Sequence, residues 1–125
     1  MADLSDVQRI ALALPETTMD DDRIAFSVNN KGKRKGIAWV WMERVDPKKP
    51  RVPQPKVIAV RTANLEDKDF LIRAAPKKYF TEPHYNGFPA VLVRLAEVTV
   101  RELRPLITEA WRTQAPKDLK EKLDS

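Results

Sequence analysis

Cysteine is absent from the 125-residue chain, which excludes disulfides, thiolate metal sites and cysteine nucleophiles. Histidine occurs once, at His84, and no second ligand of suitable type lies at motif spacing from it. Glycine is scarce as well, and three glycines cannot build a dinucleotide fingerprint. Gly32-Lys33 lacks the upstream glycine and the following Ser or Thr of a phosphate loop. Ser5, Ser27 and Ser125 stand in no G-x-S-x-G elbow. No apolar run approaches the roughly 18 to 20 residues that span a bilayer. The first residues, MADLSDVQRI, are acidic and amphipathic rather than basic then apolar, unlike a secretory signal, so a cytoplasmic location is expected. No catalytic residue, metal or cofactor is assigned, and the chain is read as a non-enzyme without a membrane partner.

What is present is an ordinary globular composition, 42% apolar and 33% charged, of a size that makes one domain with a real core. Net charge is +5, but it is unevenly placed. Residues 31 to 56 carry nine Lys or Arg against two acids, a local +7, while the remainder sums to −2 and residues 1 to 30 to −4. One segment accounts for the basic character, and such a patch suits an anionic partner.

The chain is organised around residues 79 to 116. Val91, Val93 and Leu95 alternate within Ala90 to Val98, predicting a buried strand. Asn86-Gly87, bracketed by Pro83 and Pro89, predicts the turn before it. Thr99 stands three residues before Glu102, the capping-box spacing, and Val100, Leu103, Ile107, Ala110 and Trp111 follow on one helical stripe. Pro105 lies deep enough in that helix to predict a kink or an irregular first turn.

Earlier in the chain, Val7, Ile10, Ala11 and Leu14 form the stripe of a first helix capped by Asp3 or Ser5 and closed at Leu14-Pro15. Glu16 to Asp22 is read as a solvated acidic loop, since its spacing matches no cation loop. Arg23 to Asn29 is a strand with Ile24, Phe26 and Val28 inward, and Asn30 to Lys33 a turn. Gly36 to Val45 is a second strand whose two faces, Ile37/Trp39/Trp41 and Ala38/Val40/Met42, are both apolar. One packs on helices; the other is covered or left as an aromatic patch. Asp46 to Pro55 holds four of the ten prolines and reads as a stiff basic loop. Lys56 to Thr62 is a third strand, Asn64 caps a helix over residues 65 to 75, and Tyr79 to Tyr85 is a short fourth strand. Residues 117 to 125 are expected to be a frayed charged tail after a single domain spanning 1 to 116. The order α-β-β-β-α-β-β-α predicts an α+β fold, a mainly antiparallel five-stranded sheet packed with three helices.

The run ALALPE at residues 11 to 16, the strand RIAFSV, the segment YFTEPHYNGFPAVLVRLAEV and the final EAW together resemble the MmcQ/YjbR-like family of small bacterial proteins. The resemblance covers residues 5 to 116 in order, and its motifs are structural rather than catalytic. It implies a fold like that of type III secretion chaperones, also described as double-wing or frataxin-like, and a DNA-binding label that rests on shape. The loop at 46 to 55 and the cluster at 33 to 35 are longer and more basic than the family pattern.

Two functional readings follow. In the first, Lys31, Lys33, Arg34 and Lys35 at one hairpin, and Lys48, Lys49 and Arg51 at the next, contact the phosphates of a nucleic acid if they converge; successive turns of an up-down sheet alternate ends, which would instead set the two clusters at opposite edges. Trp39 or Trp41 is then available for stacking, and His84 and Tyr85 are further stacking or interface candidates. In the second, the Trp39/Trp41 face holds a protein partner or a second copy of the chain, as in a chaperone-like module. The bland alternative is that both loops are simply solvated and the tryptophans belong to the core, with His84 structural.

Overall fold

A computed structural model describes residues 1 to 124. Its order is α1 (Leu4–Leu12), β1 (Thr17–Met19), β2 (Ala25–Asn30), β3 (Lys33–Glu43), β4 (Val52–Arg61), α2 (Leu65–Ala74), β5 (Tyr79–Phe80), β6 (Ala90–Arg94), α3 (Val100–Gln114) and α4 (Lys117–Asp124). Single 3-10 turns occupy Pro83–Tyr85 and Leu95–Glu97. The strands form one sheet in the order β1-β2-β3-β4-β6-β5, and every neighbouring pair is antiparallel. The first four strands meander; α2 then carries the chain past the place of β6 to the far edge. The α+β expectation is met, with one more strand and one more helix than anticipated.

The caps are where the spacing puts them. Asp3 and Asp6 close a capping box on α1, Asn64 accepts from the Asp67 N–H on α2, and Thr99 with Glu102 closes a second box on α3. Each satisfies backbone donors that the first helical turn leaves unpaired. Pro105 lies within α3, whose helix runs unbroken to Gln114.

The register explains which residues meet. Ala38 faces Val60, and Val60 faces Val91; Val40 faces Ile58, and Ile58 faces Val93. These rows, with Phe26 and Val28 from β2, form the side on which Leu103, Ile107, Ala110 and Trp111 of α3 and Val7, Ile10 and Ala11 of α1 are buried. A bulge lets both Ile37 and Ala38 face that core, because Phe26 pairs with Ala38 and Ser27 with Gly36, leaving Ile37 unpaired. Trp39 therefore falls on the opposite side, which no helix stripe covers.

Several expectations are corrected. The acidic run is not all loop: Thr17–Met19 pairs with β2 as an edge strand. Ile24 precedes β2 and is exposed, so it does not share the inward face of Phe26 and Val28. Lys33, Arg34 and Lys35 lie on β3, and the turn is only Lys31-Gly32, both at positive φ. The proline-rich segment is strand from Val52 onward; Pro53 faces Met42 of β3, while β6 joins β4 only from Val57. Proline is tolerated there because one side of the strand carries no partner. The strand at residue 79 ends at Phe80 and gives way to the turn at Pro83. The tail folds as α4, with Leu119 and Leu123 against the core and Asp124 paired with Arg112. That guanidinium holds the Asp124 carboxyl below its usual range. Ser125 lies outside the described residues.

Candidate functional site

On the uncovered side of the sheet, one row runs Trp39, Ala59, Leu92 and Phe80 across four strands. Trp41 and Val57 flank it. The Trp39 ring lies along β3 over Gly36, where an added Cβ would sit 3.5 Å from the ring. Phe80 meets Trp41 edge-on with centroids 5.6 Å apart, and the Arg94 guanidinium sits 4.0 Å above the Phe80 ring. Arg61 lies 5.0 Å from the Phe88 ring centroid. Guanidinium groups over aromatic faces are favourable electrostatically and leave each ring edge free to pack.

The segment from Glu82 to Phe88 folds back over part of this face. Trp39 Nε1 donates to the Tyr85 hydroxyl at 2.9 Å, which accounts for the buried position of Tyr85. From the other side, Lys68 of α2 reaches in and donates to the Tyr85 and Phe88 carbonyls, at 2.5 and 2.9 Å. Lys68 is only 2% exposed, and this desolvation lowers its pKa. A buried ammonium thus adds a second bond to each of two loop carbonyls, which also accept from the Phe88 and Ala90 N–H groups. His84, on that loop, is exposed and meets Tyr85 edge-on at 5.6 Å, so it is a surface residue beside the sheet.

The two basic clusters do not converge. Lys31, Lys33, Arg34 and Lys35 stand at the start of β3; Lys48, Lys49 and Arg51 lie beyond its end, in the β3–β4 loop. Eleven residues of strand separate these ends, roughly 33 Å at the rise of an extended chain. The clusters also differ in what they touch. Arg34 donates to Asp20 and Thr18, so the first cluster is partly neutralised by the acidic run, and Asp20 also takes Arg23. At the second, Arg44 donates to the Pro47 and Lys49 carbonyls and Arg51 to the Met42 carbonyl. These bonds order the loop and leave its charge uncompensated by any carboxylate among the described ion pairs.

The second cluster abuts the aromatic face. A cleft of about 590 Å³ lies between them, walled by Trp41, Arg44 and Arg51 on one side and Glu82, Pro83 and His84 on the other. Glu43 at its margin accepts from Gln54 Nε2 at 2.6 Å. Among the described residues, three buried side-chain polar atoms have no hydrogen-bond partner, and two of them, Trp41 Nε1 and Glu82 Oε1, are on residues that line this cleft, though the atoms themselves are buried. Arg44, Glu82, Phe80, Phe88 and Lys68 were not singled out by the sequence. Phe80 and Phe88 sit within the quoted segment that carries the family resemblance, while Lys68 stands three and four residues before Leu71 and Ile72, on the inward stripe of α2.

No described helix is long and apolar enough to cross a membrane. No family model matches the chain. The crystal structure of Deinococcus radiodurans protein DR2400, with a DUF419 domain, superposes with a TM-score of 0.66 at 19% identity, over 99% of this chain and 89% of that one. A likeness at that identity concerns the fold. The sequence is 41% identical over 128 residues to the uncharacterized protein Rv2570 of Mycobacterium tuberculosis (strain ATCC 25618 / H37Rv), covering 95% of this chain and 93% of the relative. The uncharacterized protein Mb2600 of Mycobacterium bovis matches to the same extent. With near-complete coverage on both sides, the chain belongs to the family of these uncharacterized mycobacterial proteins.

Proposed function

We propose that the protein acts without chemistry, as a cytoplasmic nucleic-acid-binding module of MmcQ/YjbR-like, double-wing type, and that its ligand is single-stranded. The observation that carries this reading is the junction of the basic β3–β4 loop with the aromatic sheet face at Trp41 and His84. Phosphate-binding side chains beside ring faces are what an unpaired strand requires, since its bases are free to stack. A duplex offers phosphates but not base faces. Within residues 31 to 56, the weight of the proposal falls on Arg44, Lys48, Lys49 and Arg51 rather than on the cluster that Asp20 partly neutralises.

The test is a titration of a labelled single-stranded oligonucleotide at two salt concentrations beside a sedimentation measurement. Affinity should fall steeply with salt, because each neutralised phosphate releases condensed counterion. A second reading keeps the Trp39/Trp41 face as a seat for a protein partner or a second copy. It is favoured by one observation, that Trp39, Trp41 and Phe80 are only partly buried and no described α-helix packs on their side of the sheet. Self-association that ignores salt, with no oligonucleotide binding, would decide for that reading.

A further inference from the structure

We infer that the groove between α2 and α3, on the helix-covered side of the sheet, binds a small organic cation, an ammonium carried on an apolar body. The inference stands apart from the nucleic-acid reading, whose site is on the opposite face. The groove holds about 360 Å³, within the range of about 300 to 1,000 Å³ usual for small-molecule sites. Two helical stripes wall it, Asp67, Phe70 and Leu71 of α2 and Glu102, Leu106 and Glu109 of α3, each spaced three or four residues apart. Phe70 is 66% exposed, and Leu71 and Leu106 are half-buried, so an apolar body finds surface there. From β5, Tyr79 also lines the groove; it is 8% exposed, and its hydroxyl makes no hydrogen bond among the described residues. That hydroxyl is not one of the three fully buried unpaired atoms, so it keeps surface open to solvent. Burial and then the Glu102 carboxylate raise its pKa, which sets it beside a lining residue of the groove.

The polar groups around the groove select the charge of the guest. The carboxylates of Asp67, Glu102 and Glu109 accept only. Thr62 and Thr113 line it too, but Thr62 Oγ1 donates to the Asn64 carbonyl and Thr113 Oγ1 to the Ala110 carbonyl. Both hydroxyls have spent their protons and can only accept from a guest. Arg61 is a lining residue whose guanidinium lies over the Phe88 ring, and Phe88 is outside the groove. Lys78 pairs with Glu102, and Arg112 stands 3.8 Å from Glu109, while Asp67 has no ion pair among the described residues. Acceptors thus outnumber donors, which suits an ammonium with its several N–H donors. An anion would meet a carboxylate from each helix. A bare metal ion is a poorer guest, since no three His, Asp or Glu side chains among the described residues are placed to hold one.

The experiment titrates phenethylamine and 3-phenylpropionate into the full chain. The two share a ring and a two-carbon linker and differ in the sign of the head group. The ring signals of the chain's two tyrosines are followed by NMR, and a Tyr79→Phe variant assigns the Tyr79 signal by its loss. Phenethylamine should move that signal and leave that of Tyr85, on the far face, in place. Its affinity should be at least about fivefold tighter than that of 3-phenylpropionate, since partly exposed charge pairs each contribute modestly. Asp67→Asn/Glu109→Gln, two changes at exposed positions, should bring the two affinities to within about twofold of each other. The tyrosine signals of the unliganded variant should stay where they were, which shows that it is folded. Equal titration by both compounds, movement of Tyr85 rather than Tyr79, or no movement with either overturns the inference. So does a preference for the amine that survives the double variant, because the selecting carboxylates would then lie elsewhere.

Discussion

The helix-covered face of the sheet is made of Ala38, Ile58, Val60, Val91 and Val93, none more than 1% exposed, whereas the opposite face carries Trp39, Trp41 and Phe80 half-buried. The same strands supply both. On the first side, branched aliphatics interlock with α1 and α3, and burial of apolar surface is the main favourable term. On the second, the rings are held by single polar contacts: one indole to one phenol, one ammonium to two carbonyls, one guanidinium above each of two phenylalanines. Contacts of this kind fix orientation more than they add stability, and they leave a few groups unsatisfied at the cleft. The difference separates a surface that specifies the fold from one that is free to carry a function.

Truncating a tryptophan on each side measures that separation most directly. Trp111 is fully buried against the sheet, and its Nε1 ties α3 to the chain leaving α1. Trp111→Ala should therefore cost about 3 to 5 kcal/mol, the range for deleting a large buried ring. Trp41→Ala should cost roughly 1 to 2 kcal/mol, within the ordinary range of single substitutions, because that ring is only half covered. Denaturant midpoints of the two variants check this, and equal losses would mean that the aromatic face is core after all.

A smaller effect is expected at Lys68, the link from α2 to the loop over the aromatic face. Lys68→Met keeps the length of the side chain and removes the donor, so the Tyr85 and Phe88 carbonyls lose their bonds to a charged group and keep only those from the Phe88 and Ala90 N–H groups, at a cost of about 1 to 3 kcal/mol. The pH dependence has a definite sign. Burial lowers the folded-state pKa of Lys68 below its ordinary value of 10.5, so the unfolded chain binds more protons between the two values. Stability of the natural chain should then rise with pH across that window. Tyr79 does not oppose this below pH 10, since its own pKa is raised. The gap between Lys68→Met and the natural chain should accordingly widen as the pH rises towards the ordinary lysine value. A constant gap would show that Lys68 titrates normally and is not desolvated.

Caps and inward stripes were legible because they are local. Asn64 with Asp67, and Thr99 with Glu102, lie within one turn of each other, so spacing alone predicts their bonds. What the sequence hid depends on partners distant along the chain. Thr17–Met19 becomes a strand only because β2 offers a free edge, and Pro53 is admitted to β4 only because β6 does not reach it. The terminal helix forms where Leu119 and Leu123 find the core and Asp124 finds Arg112. Of the candidate site, the basic residues and the two tryptophans of β3 were visible, and so was the separation of the two basic turns; the cleft that joins the second of them to Trp41 was not. Two loops joined by one long strand must lie at its opposite ends. The unpaired Trp41 Nε1 and Glu82 Oε1 could not be read from sequence at all, because being unpaired is a property of the packed surroundings.

The smallest effect on stability, and the sharpest on function, belongs to the two ends of β3. Lys48 and Lys49 are exposed, as are Lys33 and Lys35, so replacing either pair by alanine should change stability by about 0.5 kcal/mol or less. Binding of a single strand should respond to only one of them. Each phosphate neutralised on single-stranded nucleic acid contributes about 0.7 to the slope of log affinity against log salt. If Lys48 and Lys49 each neutralise one, Lys48→Ala/Lys49→Ala should flatten that slope by about 1.4 and weaken binding alike for all sequences. Lys33→Ala/Lys35→Ala should leave the slope as it was, because those lysines stand about 26 to 33 Å from the far end of the strand, near the carboxylate that holds Arg34. The converse result, with the slope flattened only at Lys33 and Lys35, would move the interface to the β2–β3 hairpin and detach it from the Trp41 cleft. Equal flattening by both pairs would instead require a strand long enough to run the length of β3. An oligonucleotide length series separates that case, since a strand too short to span both ends would then lose part of its salt slope.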